Sequence, residues 1–122
     1  MAEQITGIGL DLCDIARMEA QLDNRHFLER CFTDEERSYI QSKGRLAAQS
    51  LAGIYAAKEA FVKALGTGIV FSLKDIGISH TVSGQPFYIL TGDAAARLNG
   101  RKPILSITHE SGTAAAVCLL LI

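Results

Sequence analysis

The sequence contains no tryptophan, few aromatic residues and no long apolar segment. Its longest uninterrupted apolar run spans the nine residues 114–122, whereas a membrane-spanning helix needs ~20. Near the start, the acidic Glu3 stands where a signal peptide carries basic residues. These features predict a soluble, cytoplasmic chain without a membrane span.

Cysteine is also scarce, and there is no linker rich in proline or glycine. The three cysteines, Cys13, Cys31 and Cys118, are far apart and show no C-x-x-C spacing, which argues against a disulfide framework or a zinc knuckle. We expect them to be small buried side chains in a reducing compartment. With 122 residues and about 150 per domain as the usual size, the sequence predicts a single domain, residues 1–122.

Acidic residues are absent between Glu36 and Glu59, although the whole chain has a net charge of −1. Residues 37–74 carry six bases and one acid, whereas residues 1–36 carry three bases and nine acids. Such a local basic field suits a small ligand with several phosphates, and a solvated basic surface is the alternative. The chain has neither a basic excess nor enough aromatic residues for a nucleic-acid footprint.

The hydrophobic pattern predicts an α+β fold with one long central helix. A Gly-rich strand begins at Ile5 and ends at Asp11, and its glycines allow another element to approach closely. Asp14 is expected to cap a helix that extends to Leu22. The later elements are a helix from the capping box at 33–36 to near Gly44, the main helix over 46–65, a short helix over 93–99, and strands at 75–82, 86–90, 104–109 and 113–121.

Two carboxylates on different predicted elements are candidate metal ligands. Asp11 ends the first strand and Glu59 lies on the flank of the long helix, so the two meet if that helix crosses the sheet. Mg²⁺ needs few protein carboxylates, because waters and substrate phosphates complete its octahedron. Three basic residues are positioned to cover phosphate charge: Arg45, Lys58 and Lys63. Ordinary structural roles, such as a strand-end turn for Asp11 or a helical ion pair for Glu59 and Lys63, stay open.

Four segments of the sequence resemble ordered motifs of a known enzyme family. These are GIGLDLCDIARME, AAKEAFVKALGTG, GQPF and SITHE, which are similar to motifs of the holo-acyl-carrier-protein synthases, the small single-half 4′-phosphopantetheinyl transferases. The resemblance extends over almost the whole chain from Ile5. It implies a fold with a long helix on an antiparallel sheet, and a homotrimer with the cofactor in the cleft between neighbouring subunits.

The resemblance implies a Mg²⁺-dependent transfer within lipid metabolism. A serine hydroxyl of an apo-acyl carrier protein attacks the β-phosphate of coenzyme A, giving holo-carrier protein and adenosine 3′,5′-bisphosphate. By the same resemblance, Asp11 and Glu59 bind the metal, Glu59 or a metal-held water accepts the serine proton, and Arg17 meets the acidic carrier. The residues expected to contact the cofactor are Arg45, Lys58, Lys63, Gly66, Thr67, Gly68 and His109.

Two positions depart from the family pattern, and two other functions remain open. Ile54 stands where a basic residue is common, which affects one expected contact to a phosphate or to the carrier. His26 stands where a permanent charge is common, so we expect carrier docking that is weaker or more sensitive to pH. A Mg²⁺-dependent hydrolase of a small nucleotide would use the same carboxylates. A non-catalytic module that docks a carrier domain would need no metal pair. For His109 alone, a half-buried structural histidine is the simpler explanation.

Overall fold

The computed structural model describes residues 2–122 and confirms the predicted α+β class. The described chain forms five strands and five α-helices, joined in part by short 3₁₀ turns at Gly44–Leu46 and Leu73–Asp75. In chain order the elements are β1 (Ile5–Asp14), α1 (Ile15–Glu19), α2 (Arg25–Cys31), α3 (Asp34–Ser42), α4 (Ala47–Leu65), β2 (Ile76–His80), β3 (Pro86–Leu90), α5 (Gly92–Leu98), β4 (Lys102–Glu110) and β5 (Thr113–Leu121).

The strands form two antiparallel groups. Strand β5 lies between β1 and β4 in a three-stranded sheet, and β2 pairs with β3 as a separate hairpin. Along β5, every second side chain is buried against α4, as expected for a strand with one face on the core. These inward residues are Ala114, Ala116, Cys118 and Leu120. The long helix therefore covers one face of the three-stranded sheet.

Two glycines of β1 allow α4 to lie directly against the strand backbone. A methyl group on Gly9 would be 1.8 Å from the carbonyl oxygen of Ala60, and one on Gly7 would be 2.4 Å from that of Ala64. Any larger side chain would push the helix away from the strand, so both positions need glycine. This close approach was predicted from the sequence, and it sets the distance between β1 and the last two turns of α4.

The two main helices begin and end as the sequence predicts. Thr33 and Glu36 form the reciprocal capping box that starts α3. Helix α4 ends at Gly66, whose φ of 77° lies in the left-handed region that glycine adopts without strain. Its long stretch of alanine and other good helix formers explains why α4 continues for 19 residues.

Several predicted boundaries were wrong because tertiary pairing extends or interrupts the local pattern. Strand β1 continues past Asp11 to Asp14, since β5 supplies partners as far as Thr113. The helix expected to reach Leu22 ends at Glu19, and α2, capped by Asn24, was not predicted. Strand β2 is shorter than the predicted 75–82 at both ends. Strand β4 extends beyond the predicted 104–109 at both ends, because β5 pairs along its whole length. Helix α5 lies one residue earlier than the predicted 93–99.

Lys58 requires a correction, because it lies in the core and not at a ligand surface. Its side chain has no exposed surface. The ammonium donates to Glu36 Oε1 at 2.8 Å, to the Leu73 carbonyl at 2.9 Å and to the Ile76 carbonyl at 2.7 Å. All three of its protons are thus used inside the protein. Coenzyme A cannot reach this amine without breaking the core, so the expected cofactor contact is wrong.

The partner carboxylate, Glu36, also makes its hydrogen bonds inside the protein. Glu36 Oε1 also accepts from the Thr33 backbone N–H, and Oε2 accepts from that of Ile78 at 2.8 Å. The pair therefore joins the start of α3, the middle of α4 and the start of the β2–β3 hairpin. Burial lowers the pKa of the Lys58 ammonium, and the negative charge of Glu36 opposes that effect. Two buried charges are stable here because each has a full set of partners.

Removing one member of this pair should destabilise the protein strongly. Lys58→Met leaves the Glu36 charge buried without its counter-ion, and we expect a loss of about 3–5 kcal/mol in the free energy of unfolding. Adding Glu36→Gln removes the second charge. The free energy of unfolding should therefore fall less in the double variant than the sum of its decreases in the two single variants. Urea unfolding measures all three, with the exposed Lys74→Met as control. Strictly additive losses would contradict the coupling.

Candidate active site

Asp11 and Lys63 form an ion pair where the end of α4 crosses β1. The Lys63 ammonium lies 3.0 Å from Asp11 Oδ1 and also donates to the Leu10 carbonyl at 3.0 Å. The Asp11 side chain is 15% exposed, whereas that of Lys63 is 53% exposed. Asp11 is therefore held on a rigid strand in a partly dry environment. The flexible side chain of Lys63 extends to Asp11 from the solvent-exposed flank of α4.

Glu59 lies one helical turn before Lys63 on the same flank of α4, as the i, i+4 spacing requires. Burial raises the pKa of the Glu59 carboxyl, and the negative charge of Asp11 raises it further. A hydrogen bond from the Tyr55 hydroxyl and the positive charge of Lys63 act in the opposite direction. The two carboxylates are thus close enough to repel each other. The sequence expectation that Asp11, Glu59 and Lys63 come together is met by this geometry.

Tyr55 is a member of this cluster that the sequence reasoning did not single out. Its ring packs against Phe27 and Phe32, with centroid distances of 5.8 and 6.4 Å. Burial, followed by the nearby Glu59 charge, raises the pKa of Tyr55 to about 12, so its hydroxyl keeps its proton. The available signal was its position four residues before Glu59 on the helix. Such spacing alone does not show that the hydroxyl points to the carboxylate.

The donor set at this crossing suits a hard divalent cation. Two carboxylates that face each other on a strand and a helix gain from a cation between them, because their mutual repulsion is then relieved. Among residues 2–122, no cluster of three or more His, Cys, Asp or Glu side chains is arranged to hold a metal ion. Carboxylate oxygens are the ligands that Mg²⁺ takes, and it needs few of them because water and substrate phosphates complete its coordination, so Asp11 and Glu59 fit this ion.

His109 lies at the opposite end of α4. Its Nε2 is 3.0 Å from the Nε2 of Gln49, and both residues line a cavity of about 270 Å³. One wall of this cavity is a parallel stack of Tyr39 on His80, with centroids 4.2 Å apart, and Lys43 lies 4.6 Å from the Tyr39 ring centre. The wall of the cavity thus has two stacked rings, and a lysine ammonium lies over one of them.

The predicted site residues lie near two different ends of α4. Gln49 precedes Glu59 by ten residues, and a helix rises 1.5 Å per residue, so the separation is about 15 Å along the axis. The exposed Arg45 lies just before α4, at the His109 end. The loop at 66–68 is exposed at the Lys63 end, where Thr67 Oγ1 donates to the Gly68 carbonyl at 3.0 Å. The predicted site residues thus form two groups.

Arg17 is exposed on the short helix α1, which follows directly after β1. Its guanidinium lies 3.9 Å from the Cys13 sulfur, and no carboxylate pairs with it among the ion pairs of residues 2–122. The guanidinium is therefore accessible to solvent, and its contact with a carrier protein stays a prediction. The residue is also close to the candidate metal pair, because Cys13 follows Asp11 by two positions on the same face of the strand.

The outer face of the three-stranded sheet, opposite to α4, is apolar and open. On β1, Ile8, Leu10 and Leu12 are 65%, 60% and 66% exposed. Ile104 of β4 is also exposed, and Val117, Leu119 and Leu121 of β5 are partly exposed on this face. A contiguous apolar surface of this kind is uncommon on a monomer and is typical of an interface with another protein.

None of the helices in residues 2–122 has the length and hydropathy needed to cross a bilayer.

Comparisons with known proteins point to one family. Residues 7–118 match the family model of the 4′-phosphopantetheinyl transferase superfamily. The chain is 46% identical to a holo-[acyl-carrier-protein] synthase of Treponema denticola, with 95% of this chain and 98% of that protein covered. Two relatives of known structure also align with this chain, each with a TM-score of 0.81.

The first is the Helicobacter pylori holo-[acyl-carrier-protein] synthase in complex with coenzyme A, which is 34% identical over 93% of this chain and 98% of that one. The second is the Bacillus anthracis enzyme in complex with CoA (3′,5′-ADP), which is 36% identical over 98% of both chains. The resemblance inferred from the sequence motifs is confirmed.

Proposed function

The chain belongs to the holo-[acyl-carrier-protein] synthase family of 4′-phosphopantetheinyl transferases, and from this premise we infer how its residues carry out the reaction. The enzyme transfers the 4′-phosphopantetheine group of coenzyme A to a serine of an apo-acyl carrier protein, releasing adenosine 3′,5′-bisphosphate. Family membership favours this transfer over the hydrolase and the docking module. The observation that carries the residue assignment is the cluster of Asp11, Glu59 and Lys63 at the crossing of β1 and α4.

Asp11 and Glu59 hold Mg²⁺ in this proposal. When bound, the ion neutralises charge on the diphosphate and orients it for in-line displacement. Asp11 is fixed by the β1–β5 ladder, and Glu59 by α4 and its contact with Tyr55. Both carboxylates therefore keep their positions without a ligand, which lowers the cost of binding the ion and the diphosphate together.

Lys63 and the Gly66-Thr67-Gly68 loop contact the diphosphate next to this pair. Lys63 supplies a positive charge from a flexible side chain, and the exposed loop offers the Thr67 hydroxyl and backbone N–H groups. The carrier serine must lose its proton as it attacks the phosphate. We assign that proton to a Glu59 carboxylate oxygen, because Glu59 lies one helical turn from Lys63, the residue assigned to the diphosphate.

We predict that replacing either metal carboxylate with its amide abolishes most activity. Asp11→Asn or Glu59→Gln leaves one anionic ligand, so transfer should fall by about a hundredfold or more while the protein remains folded. Mass spectrometry of the apo-carrier protein after incubation with coenzyme A and Mg²⁺ measures the product. The control is Asp14→Asn, because Asn caps a helix as well as Asp. Rates near normal in both variants, or activity in excess chelator, would refute the metal assignment.

The second group, His109 and Arg45 at the start of α4, completes the site of a neighbouring subunit in our proposal. The exposed apolar outer face of the sheet supports contact with another copy of the chain, and the family resemblance implies that the assembly is a homotrimer. A cyclic assembly repeats one contact and creates three equal clefts. The nucleotide end of coenzyme A would then lie in the His109 cavity of one chain and its diphosphate at Asp11 and Lys63 of the next.

Mixing two inactive variants tests the shared cleft. Asp11→Asn and His109→Ala chains each lack one half of the site, and a mixed trimer contains clefts in which both halves are intact. Unfolding and refolding the mixture should therefore restore part of the activity, whereas each variant refolded alone stays inactive. Light scattering should give three times the 13.1 kDa of one chain. A fully active monomer at assay concentration would refute the shared cleft.

Arg17 is the carrier-binding residue in this proposal, because its charge is exposed near Asp11 and forms no ion pair with a carboxylate of residues 2–122. Arg17→Ala should raise the KM for the carrier protein by about fivefold, as expected for the loss of one exposed ion pair. Added salt should have a similar effect on the wild type, since exposed charges are screened over ~8–10 Å. The KM for coenzyme A and the behaviour of Lys102→Ala should stay unchanged. Salt-insensitive carrier binding would point to another surface.

A further inference from the structure

The Lys63 ammonium pairs with Asp11, which is one of the two proposed metal ligands. It lies 3.0 Å from Asp11 Oδ1, and the Leu10 carbonyl is its second acceptor. Asp11 is only 15% exposed, so an uncompensated charge there would be costly, and Glu59 adds a second negative charge nearby. In the ligand-free enzyme, the lysine thus lowers the repulsion between the two carboxylates.

We propose that Lys63 is an exchangeable counter-ion, which holds Asp11 in the free enzyme and is displaced to the substrate diphosphate when a divalent cation binds. This inference rests on the proposed metal function. A divalent cation neutralises both carboxylates, so the ammonium then has no net charge to pair with and meets repulsion from the cation. Its side chain is 53% exposed and leaves the site without disturbing the core.

The charge balance explains why the exchange favours the substrate. Asp11, Glu59 and Lys63 together carry one negative charge, and adding a divalent cation changes this to one positive charge. The site therefore becomes attractive to a diphosphate only after the cation has bound. Lys63 is then both a competitor of the metal and a ligand of the substrate, and these two roles have opposite consequences when it is removed.

Binding of Mn²⁺ in the absence of coenzyme A tests the exchange. Mn²⁺ stands in for Mg²⁺ because the free ion gives an electron paramagnetic resonance signal that disappears on binding. Lys63→Met should bind Mn²⁺ about two- to fivefold more tightly than the wild type, the fold-change that corresponds to an exposed ion pair. Lys63→Arg, which keeps the charge, should resemble the wild type, and so should the exposed Lys74→Met. Carrier modification by Lys63→Met should nevertheless be slower, with a higher KM for coenzyme A.

The outcomes separate this inference from the proposed function. Equal or weaker Mn²⁺ binding by Lys63→Met, with binding by the wild type that depends on Asp11, would overturn the exchange and leave the metal site intact. No Mn²⁺ binding by either protein would overturn both. A merely structural role of Lys63 would weaken metal binding and lower the unfolding midpoint in urea, so tighter binding with an unchanged midpoint supports the exchange.

Discussion

The contact between α4 and the backbone of β1 is the constraint on which the site depends. Gly7 and Gly9 carry no side chain, so the carbonyls of Ala60 and Ala64 lie directly above the strand. This brings the last turns of the helix close enough for Lys63 to reach Asp11 and for the Glu59 carboxylate to sense its charge. A methyl group at Gly9 would need a helix shift of more than an ångström, and the charged cluster would separate with it.

A second constraint acts from the other side of the same helix. Lys58 and Glu59 are neighbours in sequence but point about 100° apart around α4, so one enters the core and the other faces the site. The buried Lys58–Glu36 pair joins α3 and the β2–β3 hairpin to α4 and fixes the rotation of the helix about its axis. That rotation keeps Glu59 and Lys63 directed toward β1. The buried Lys58 thus helps to position the Glu59 carboxylate beside it.

The distribution of charge and apolar surface has a consequence for assembly. Asp11, Glu59 and Lys63 lie together at one end of α4, and the His109 cavity lies at the other. In the function we propose, one helix contributes to two half-sites, and the exposed apolar face of the sheet contacts another chain. A small chain offers little concave surface for a ligand as long as coenzyme A, and a cleft between two subunits would provide more of it.

The sequence by itself determined the elements whose signals are local. The capping box of α3, the length of α4 and its end at Gly66, and strand β3 with its turn all follow from a few adjacent residues. Family motifs also indicated the chemistry and the grouping of Asp11 with Glu59. Helix α2 was missed, because its short amphipathic pattern is stabilised mainly by packing against the rest of the chain.

Tertiary structure decided the roles that depend on distant partners. Lys58 lies on the apolar stripe of α4, but its partner Glu36 is 22 residues away, so the sequence could not distinguish a buried ion pair from a phosphate ligand. Likewise, Asp11 and Lys63 are 52 residues apart and meet because two glycines admit the helix. Long-range electrostatics and close packing act between elements, whereas propensities and capping act within them, which is why local patterns revealed the parts and only the fold revealed their partners.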